Sequence, residues 1–334
     1  KIFLSSNKQY VKNFLKNKNS IKSDLIEVHN RPSYINIIRD KYFKKIFFYF
    51  HNDPLQMNGS RTTQERLNLL KNVDKILFNS DWCRNRFFIN LDDKKNIIDK
   101  TEIFYQSSSK VKVNFKKKEK LITFAGKLNR AKGYDLFGGA IIKILEKYPE
   151  WRARVYGDEP REKHIFNHKN LKILGFKKND YILNDLKRAS ISVICSRWEE
   201  PFGRTSLEAT ANGCAVIISN RGGLPETITN GVILKNLNHT NLYKEIHNLI
   251  KDKNKRTNLQ KLSLKNFYLT HSYISKLIDQ IRDDKFNVIK NIYVKKKKTC
   301  RILHVTNFNE RHDGRLYFNT GRRINNGFIR QGNS

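Results

Sequence analysis

Two short segments hold the side chains best suited to chemistry. The first, FAGKLNRAKG from Phe124 to Gly133, leaves an apolar run, turns at Gly126 and enters a helical pattern near Gly133. A strand-to-helix turn of this kind aims backbone N–H groups and the positive end of a helix at an anion. Lys127 and Lys132 flank the turn and would clamp a diphosphate from two sides. A lysine-rich turn standing alone is equally a solvated surface feature, so this reading depends on the second segment.

That segment is SRWEEPFGRTSLE, Ser196 to Glu208. Glu200 precedes a turn made of Pro201, Phe202 and Gly203, and Glu208 follows about one turn into the helix that the turn opens. The backbone amides of Gly203, Arg204 and Thr205 would point into the same crevice from the helix N-terminus. A diphosphate held there leaves Glu208 within reach of a ribose, whose vicinal hydroxyls suit a carboxylate acceptor. Glu200 would then lie near a group beyond the phosphates. Acids placed in a first helical turn for the macrodipole alone would account for Glu199 and Glu200, but not for their position beside Pro-Phe-Gly.

These segments need a frame that brings two loops to one edge of a sheet. Apolar strands read at Leu121 to Ala125, Ala153 to Tyr156, Leu171 to Leu174, Ile191 to Cys195, Ala215 to Ile218 and Val232 to Leu234. Helices fit Gly133 to Lys147, Tyr181 to Arg188 and Thr205 to Asn212, which together make a doubly wound α/β domain. Before it, strand patterns at Asp24 to Val28, Lys45 to Phe50, Lys75 to Phe78 and Glu102 to Tyr105 alternate with helical patterns at Arg61 to Asn72 and Asp81 to Asn90. The basic stretch Lys110 to Lys120 reads as the boundary between the two, giving domains at 1–113 and 114–284. Asn241 to about Asp284 reads as two or three amphipathic helices, and 285–299 as a basic linker. His51 follows a strand directly, at the sheet's carboxyl edge, and His29 has a similar place. His164 and His168 stand four apart on a stretch that could be helical, a spacing that suits a metal, but no third ligand is evident and no metal is expected.

With both segments in view, the chain resembles the retaining GT-B glycosyltransferases of family four, also called group one. Their signature of two glutamates in an E-P-F-G context stands here as EPFGRTSLEA, Glu200 to Ala209. It is joined in order by AGKLNRAKG, YGDEP at Tyr156, ILGF at Ile173, GCAVIIS at Gly213 and GGLPE at Gly222, so that the likeness covers roughly Asp24 to Asp284. The resemblance implies two Rossmann-like domains facing a cleft. It also implies a nucleoside-diphosphate sugar as donor substrate, a carbohydrate or lipid-linked acceptor, and no cofactor. On it, Gly126, Lys127 and Lys132 bind the diphosphate together with Phe202, Gly203, Arg204 and Thr205. Glu208 takes the ribose, Glu200 the donor sugar, and Gly175 in the Leu174 to Phe176 stretch borders the base. Gly222, Gly223 and Glu226 shape the far wall, and His51 contacts the donor sugar. Family members usually carry arginine where Lys127 stands, so a point charge replaces a bidentate fork.

One departure concerns the ends. Nothing before Asp24 resembles the family's opening strand and glycine-rich loop, so the first domain reads as incomplete. The terminal segment from Arg301 does resemble them, with a strand at Arg301 to Thr306, a loop holding Gly314 and a helix over Tyr317 to Ile329. The simplest account makes 300–334 the start of a second, tandem unit; the alternative folds this tail into the first domain.

Composition bounds the rest. The 334 residues carry a net charge of +35, enough to attract an anionic membrane surface or a phosphate-rich polymer, although a chain this rich in Lys, Asn and Ile also fits an AT-rich genome. The apolar runs are too short for a membrane-spanning helix. Cys83, Cys195, Cys214 and Cys300 form no C-x-x-C pair, which argues against a zinc knuckle or a disulfide framework and for a reducing cytoplasm. Three rival readings remain: a catalytically dead fragment, because the acceptor loop is missing; a sugar-nucleotide epimerase of the same fold, which the EPFG context counts against; and a basic nucleic-acid-binding protein. The last would show affinity falling steeply with salt and no selectivity among nucleotide sugars.

Overall fold

The computed structural model describes residues 6–17, 22–91, 97–162, 164–285 and 302–305. They fall into two compact units, one holding the chain up to Phe104 and again from Gln280, the other Tyr105–Asp279.

In the first unit the order is α1 (Ser6–Lys16), β1 (Leu25–His29), α2 (Ile35–Arg39), β2 (Lys45–Phe50), α3 (Thr63–Asn72), β3 (Lys75–Phe78), α4 (Asp81–Phe87) and β4 (Thr101–Ile103). The paired strands run parallel. They read as near-continuous apolar runs because both faces of such a sheet are covered. Alternate residues Ile26, Val28, Phe48, Phe50, Ile76 and Phe78 form one core with Val11 and Leu15 of α1. The opposite face of β1 presents Glu27 and His29, as the period of two requires. Helix α3 starts where its sequence says, at a Thr62–Glu65 capping box.

The second unit runs β5 (Glu119–Ala125), α5 (Tyr134–Lys147), β6 (Arg152–Tyr156), β7 (Leu171–Ile173), α6 (Asn179–Arg188), β8 (Ala189–Ile194), α7 (Arg204–Ala211), β9 (Ala215–Ser219), β10 (Val232–Leu234), α8 (His239–Lys251), α9 (Lys253–Asn266) and α10 (His271–Lys285). Its parallel sheet has the order β10-β9-β8-β5-β6-β7. The chain builds outward from β5 through β6 to β7, then crosses to β8 on the far side of β5. The loops leaving β5 and β8 therefore flank a topological switch point, where open α/β sheets bind ligands.

Three expectations from the sequence differ from this structure. The stretch Lys110 to Lys120 is not a boundary, because its lysines bind the second unit's own backbone. Lys118 Nζ donates to the carbonyls of Leu186 and Asn212, and Lys110 Nζ to those of Lys265 and Phe267. The changeover lies earlier, at Phe104, and α10 carries the chain back into the first unit from Gln280. Secondly, Ile302–Val305 forms β11, which pairs in parallel with β1 in the register Leu25↔Ile302 to Val28↔Val305. The tail's strand thus enters the first sheet, the arrangement given second place above. Without β11, β1 would have β2 on one side only, and the unpaired edge of N–H and C=O groups is satisfied by this further strand. The 285–299 linker lies mostly, and the expected loop and helix after Thr306 wholly, outside the described residues. Thirdly, His164 and His168 are not on a helix.

Candidate active site

The turn after β5 is built to close tightly. Gly126 N–H donates to the Tyr156 carbonyl at 3.0 Å, and the Asn129 side chain accepts from Lys132 N–H at 3.0 Å, capping the single 3-10 turn Arg130–Lys132. Gly133 then takes φ +73°, and a Cβ there would lie 1.9 Å from the Cys195 carbonyl oxygen. Only glycine lets this turn meet the end of β8 so closely. The Cys195 thiol is sealed beneath it and pushed up to about 12 by burial, so it has no nucleophilic role.

The loop after β8 is stitched to that turn. Arg197 and Trp198 N–H both donate to the Ala131 carbonyl, at 2.9 and 3.0 Å, and the Arg197 guanidinium grips Asp135 through two bonds of 2.6 and 2.7 Å. Burial acts to raise the Asp135 carboxyl, but the hydrogen bonds and charge of Arg197 outweigh it and hold the group below its ordinary value. This brings together two residues 68 positions apart in sequence: Lys132 Nζ donates to Glu200 Oε1 in a partly buried ion pair. Behind Glu200 the 221–223 turn acts as a rest. Gly223 N–H donates to the Glu200 carbonyl at 2.7 Å, and Gly222 N–H to the neighbouring Glu199 carboxylate at 2.6 Å.

Helix α7 opens at Gly203, φ +117°, where a Cβ would stand 2.5 Å from Leu224. The first-turn amides of a helix have no partner within it, so Arg204 and Thr205 can offer theirs to an anion. Glu208 is buried and accepts from Arg204 Nη2 at 2.6 Å, an i,i+4 pair on the helix face. Phe202 differs from its expected part: its ring is buried with Leu207, Ala211, Phe267 and Leu269, and serves as an anchor for the turn rather than a ligand contact. Only its backbone can face a ligand. Gly175, φ +64°, accepts from Gly157 N–H at 2.9 Å and has open space where a side chain would stand. Lys127 is exposed at the rim of the β5 turn.

Acidic partners of the turn went unread in the sequence. Glu162 accepts from Arg130 N–H at 2.8 Å, and Glu159 from the Asn129 side chain at 3.4 Å. The hydrogen bond from Arg161 chiefly, with the charges of Arg161 and Lys127 behind it, pulls the Glu159 carboxyl down to about 2. The stretch from Tyr156 to Glu162 is thus a strap along the β5 turn. Its only signal in sequence is the cluster of acids after a strand.

His51 lies in the first unit. Its N–H is accepted by Asn30 Oδ1 at 2.7 Å, its carbonyl accepts from Asn79 at 2.9 Å, and its Nε2 lies 2.8 Å from His29 Nδ1. His164 and His168 bind Glu162 and the Asn170 N–H instead of each other, and no group of three metal-ligating side chains occurs among the described residues.

A family model for "Glycosyl transferases group 1" matches residues 105–265, the span that holds the β5 turn, the β8 loop and helix α7. Over this span the chain is similar to the group 1 glycosyl transferases. The spore coat protein SA of Bacillus subtilis is 30% identical over 165 residues, 43% of each chain. The lipopolysaccharide core biosynthesis mannosyltransferase LpcC of Rhizobium leguminosarum is 35% identical over 121 residues, 33% of this chain and 34% of that one. The chain spans about half the length of the first curated relatives it matches. Among solved structures, HepE of Anabaena in complex with UDP-glucose superposes with a TM-score of 0.62 at 16% identity, covering 82% of both chains. At that identity the likeness establishes the fold, GT-B with two Rossmann-like domains, and the matched segment 105–265 lies in the second unit.

Proposed function

We propose that the chain transfers a sugar from a nucleoside-diphosphate sugar to a hydroxyl acceptor with retention at the anomeric carbon. The observation that carries this reading is the meeting of Lys132 and Glu200 across the switch point, with helix α7 opening three residues after Glu200. As the glycosidic bond breaks, negative charge grows on the leaving diphosphate. Lys132, Lys127 and the α7 amides neutralise it in place, without a metal and without reorganisation. Glu208 holds the ribose, and Glu200, oriented by Lys132 on one side and the 221–223 turn on the other, holds the donor sugar. UDP-sugars are the first donors to try, because HepE was solved with UDP-glucose.

The acceptor belongs to surface polysaccharide or lipopolysaccharide assembly, the setting named for LpcC. We place the protein in the cytoplasm, at the inner face of an anionic membrane. No helix among the described residues is long and apolar enough to cross a bilayer, and the +35 charge supplies surface attraction instead. Equal partitioning onto neutral and anionic vesicles at moderate salt would remove the membrane part of this reading.

The reaction is tested by donor hydrolysis in excess chelator, with water in the acceptor's place. Nucleoside diphosphate should be released from one donor class, the sugar should leave with its anomeric configuration kept, and Lys132→Ala should slow release by about 10²-fold or more. Release that requires a divalent metal, or that survives Lys132→Ala unchanged, would overturn it.

A further inference from the structure

Lys132 is central to the proposed reaction, yet a lysine ammonium hangs on a long flexible stem and has no shape of its own. The main chain it leaves from has to aim it. The peptide unit between Ala131 and Lys132 is held at both ends. Its N–H donates to Asn129 Oδ1 at 3.0 Å, within the same turn. Its carbonyl, the Ala131 oxygen, takes three donors from the loop after β8: Ser196 Oγ at 3.1 Å, Arg197 N–H at 2.9 Å and Trp198 N–H at 3.0 Å. A carbonyl oxygen has two lone pairs, so its capacity to accept is filled. A peptide unit is planar, and fixing both ends of it fixes the direction in which the Lys132 side chain departs.

The successive N–H groups of Arg197 and Trp198 converge on that one oxygen, as such pairs do around an anion. The side chain of Arg197 holds them there. Its guanidinium donates to the Arg130 carbonyl at 2.8 Å and to both Asp135 oxygens at 2.6 and 2.7 Å. A single residue therefore grips the chain on either side of Lys132, at residues 130, 131 and 135, and Glu200 follows it by three positions. The loop is anchored on the sheet in turn, because Ser219 at the end of β9 donates to the Ser196 carbonyl at 2.6 Å.

We infer that Arg197 is a positioning residue: by clamping the peptide unit before Lys132 it aims the lysine ammonium at Glu200 and at the diphosphate. This rests on the reading of Lys132 as the cation that meets the leaving diphosphate, but the clamp on the turn stands by itself. A guanidinium suits the task because its flat fork spans two carboxylate oxygens and a carbonyl at once, which the point charge of a lysine does not. The effect belongs to the transition state. Charge on the diphosphate grows as the sugar leaves, so a misaimed Lys132 costs rate more than donor affinity.

Amide hydrogen exchange of the full chain tests the clamp without any turnover. Two variants are compared with wild type: Arg197→Met, and the milder Arg197→Lys, which decides if the first does not fold. In both, the Lys132 and Trp198 amides should exchange at least about tenfold faster, while amides inside β5 and β8 keep their rates. Unchanged exchange at Lys132 and Trp198 in a folded variant would overturn the inference. In donor hydrolysis the folded variants should show kcat lowered on the order of tenfold, with donor KM within about threefold. A kcat within about threefold of wild type despite faster exchange would make the clamp a matter of stability alone and overturn the inference, as would a raised KM with kcat kept. Faster exchange at both amides, with no turnover of any nucleotide sugar by the wild type, would leave the clamp in place and remove the proposed activity.

Discussion

Replacing Gly222 by alanine is the most informative single change near Glu200, because the geometry fixes what must move. At φ +58° the added Cβ would stand 2.2 Å from the Glu200 carbonyl oxygen and 2.7 Å from its nitrogen. Ordinary carbon contacts begin well beyond 3 Å, so the two segments must part by about 1 Å. Left-handed backbone costs a non-glycine residue roughly 1–2 kcal/mol, and parting the segments weakens the Gly223 N–H bond to Glu200, worth about 1 kcal/mol more. A total of about 2–3 kcal/mol lowers the unfolding midpoint of a domain this size by roughly 5–10 °C. The larger effect is on Glu200, since about 1 Å of misplacement at a reacting centre costs on the order of 10² in rate. The assay is steady-state donor turnover below the variant's unfolding midpoint, with Gly139→Ala in α5 as control. At Gly139 the Cβ would meet only ordinary contacts, with His239 at 3.7 Å, and stability should not fall below that of wild type. Turnover by folded Gly222→Ala within about threefold of wild type would refute the claim that the turn positions Glu200.

Two further outcomes follow from buried charge. Asp135 has a folded value held below its unfolded one by Arg197, so the pair stabilises above the ordinary value of 3.8 and loses that contribution as pH falls through the lowered one. Arg197→Ala should therefore destabilise at neutral pH and approach the wild type in acid unfolding, and a gap that widened in acid would contradict the sign. In the first unit, Arg282→Ala leaves Glu27 buried and uncompensated, which should cost about 3–5 kcal/mol in chemical denaturation. Arg282→Met with Glu27→Gln should recover much of it.

The second unit was legible strand by strand. Parallel strands buried on both faces appear as short apolar runs between glycine turns, and all six runs read there fall on β5 to β10. Lys132 and Glu200 were each readable from their loops, but not their meeting, which depends on β8 crossing beside β5. The grip of Arg197 on Asp135 and the rest of Glu199 on Gly222 were invisible for the same reason: no periodicity links residues on separate loops. The Arg204–Glu208 pair stood in plain i,i+4 spacing and was passed over because both residues had been given to the ligand. Lysines 110 and 118 looked like a charged linker because sequence does not reveal which lysines will reach carbonyls. The pairing of β11 with β1 was the least legible feature, since a four-residue strand carries no sign of the sheet it joins. Helix α1 was missed altogether, although Val11 and Leu15 stand at the spacing of a single buried stripe.

The central claim is that the β5 turn and helix α7 hold the diphosphate and ribose of a nucleotide sugar. Thermal unfolding against UDP-, GDP- and ADP-sugars, run on wild type, Lys132→Ala and Glu208→Ala, tests it most directly. One nucleotide class at about 100 times its Kd should stabilise the wild type by about 2.7 kcal/mol, and both variants should lose most of that shift. No shift with any nucleotide sugar in the folded protein, or a shift that both variants keep in full, would contradict it.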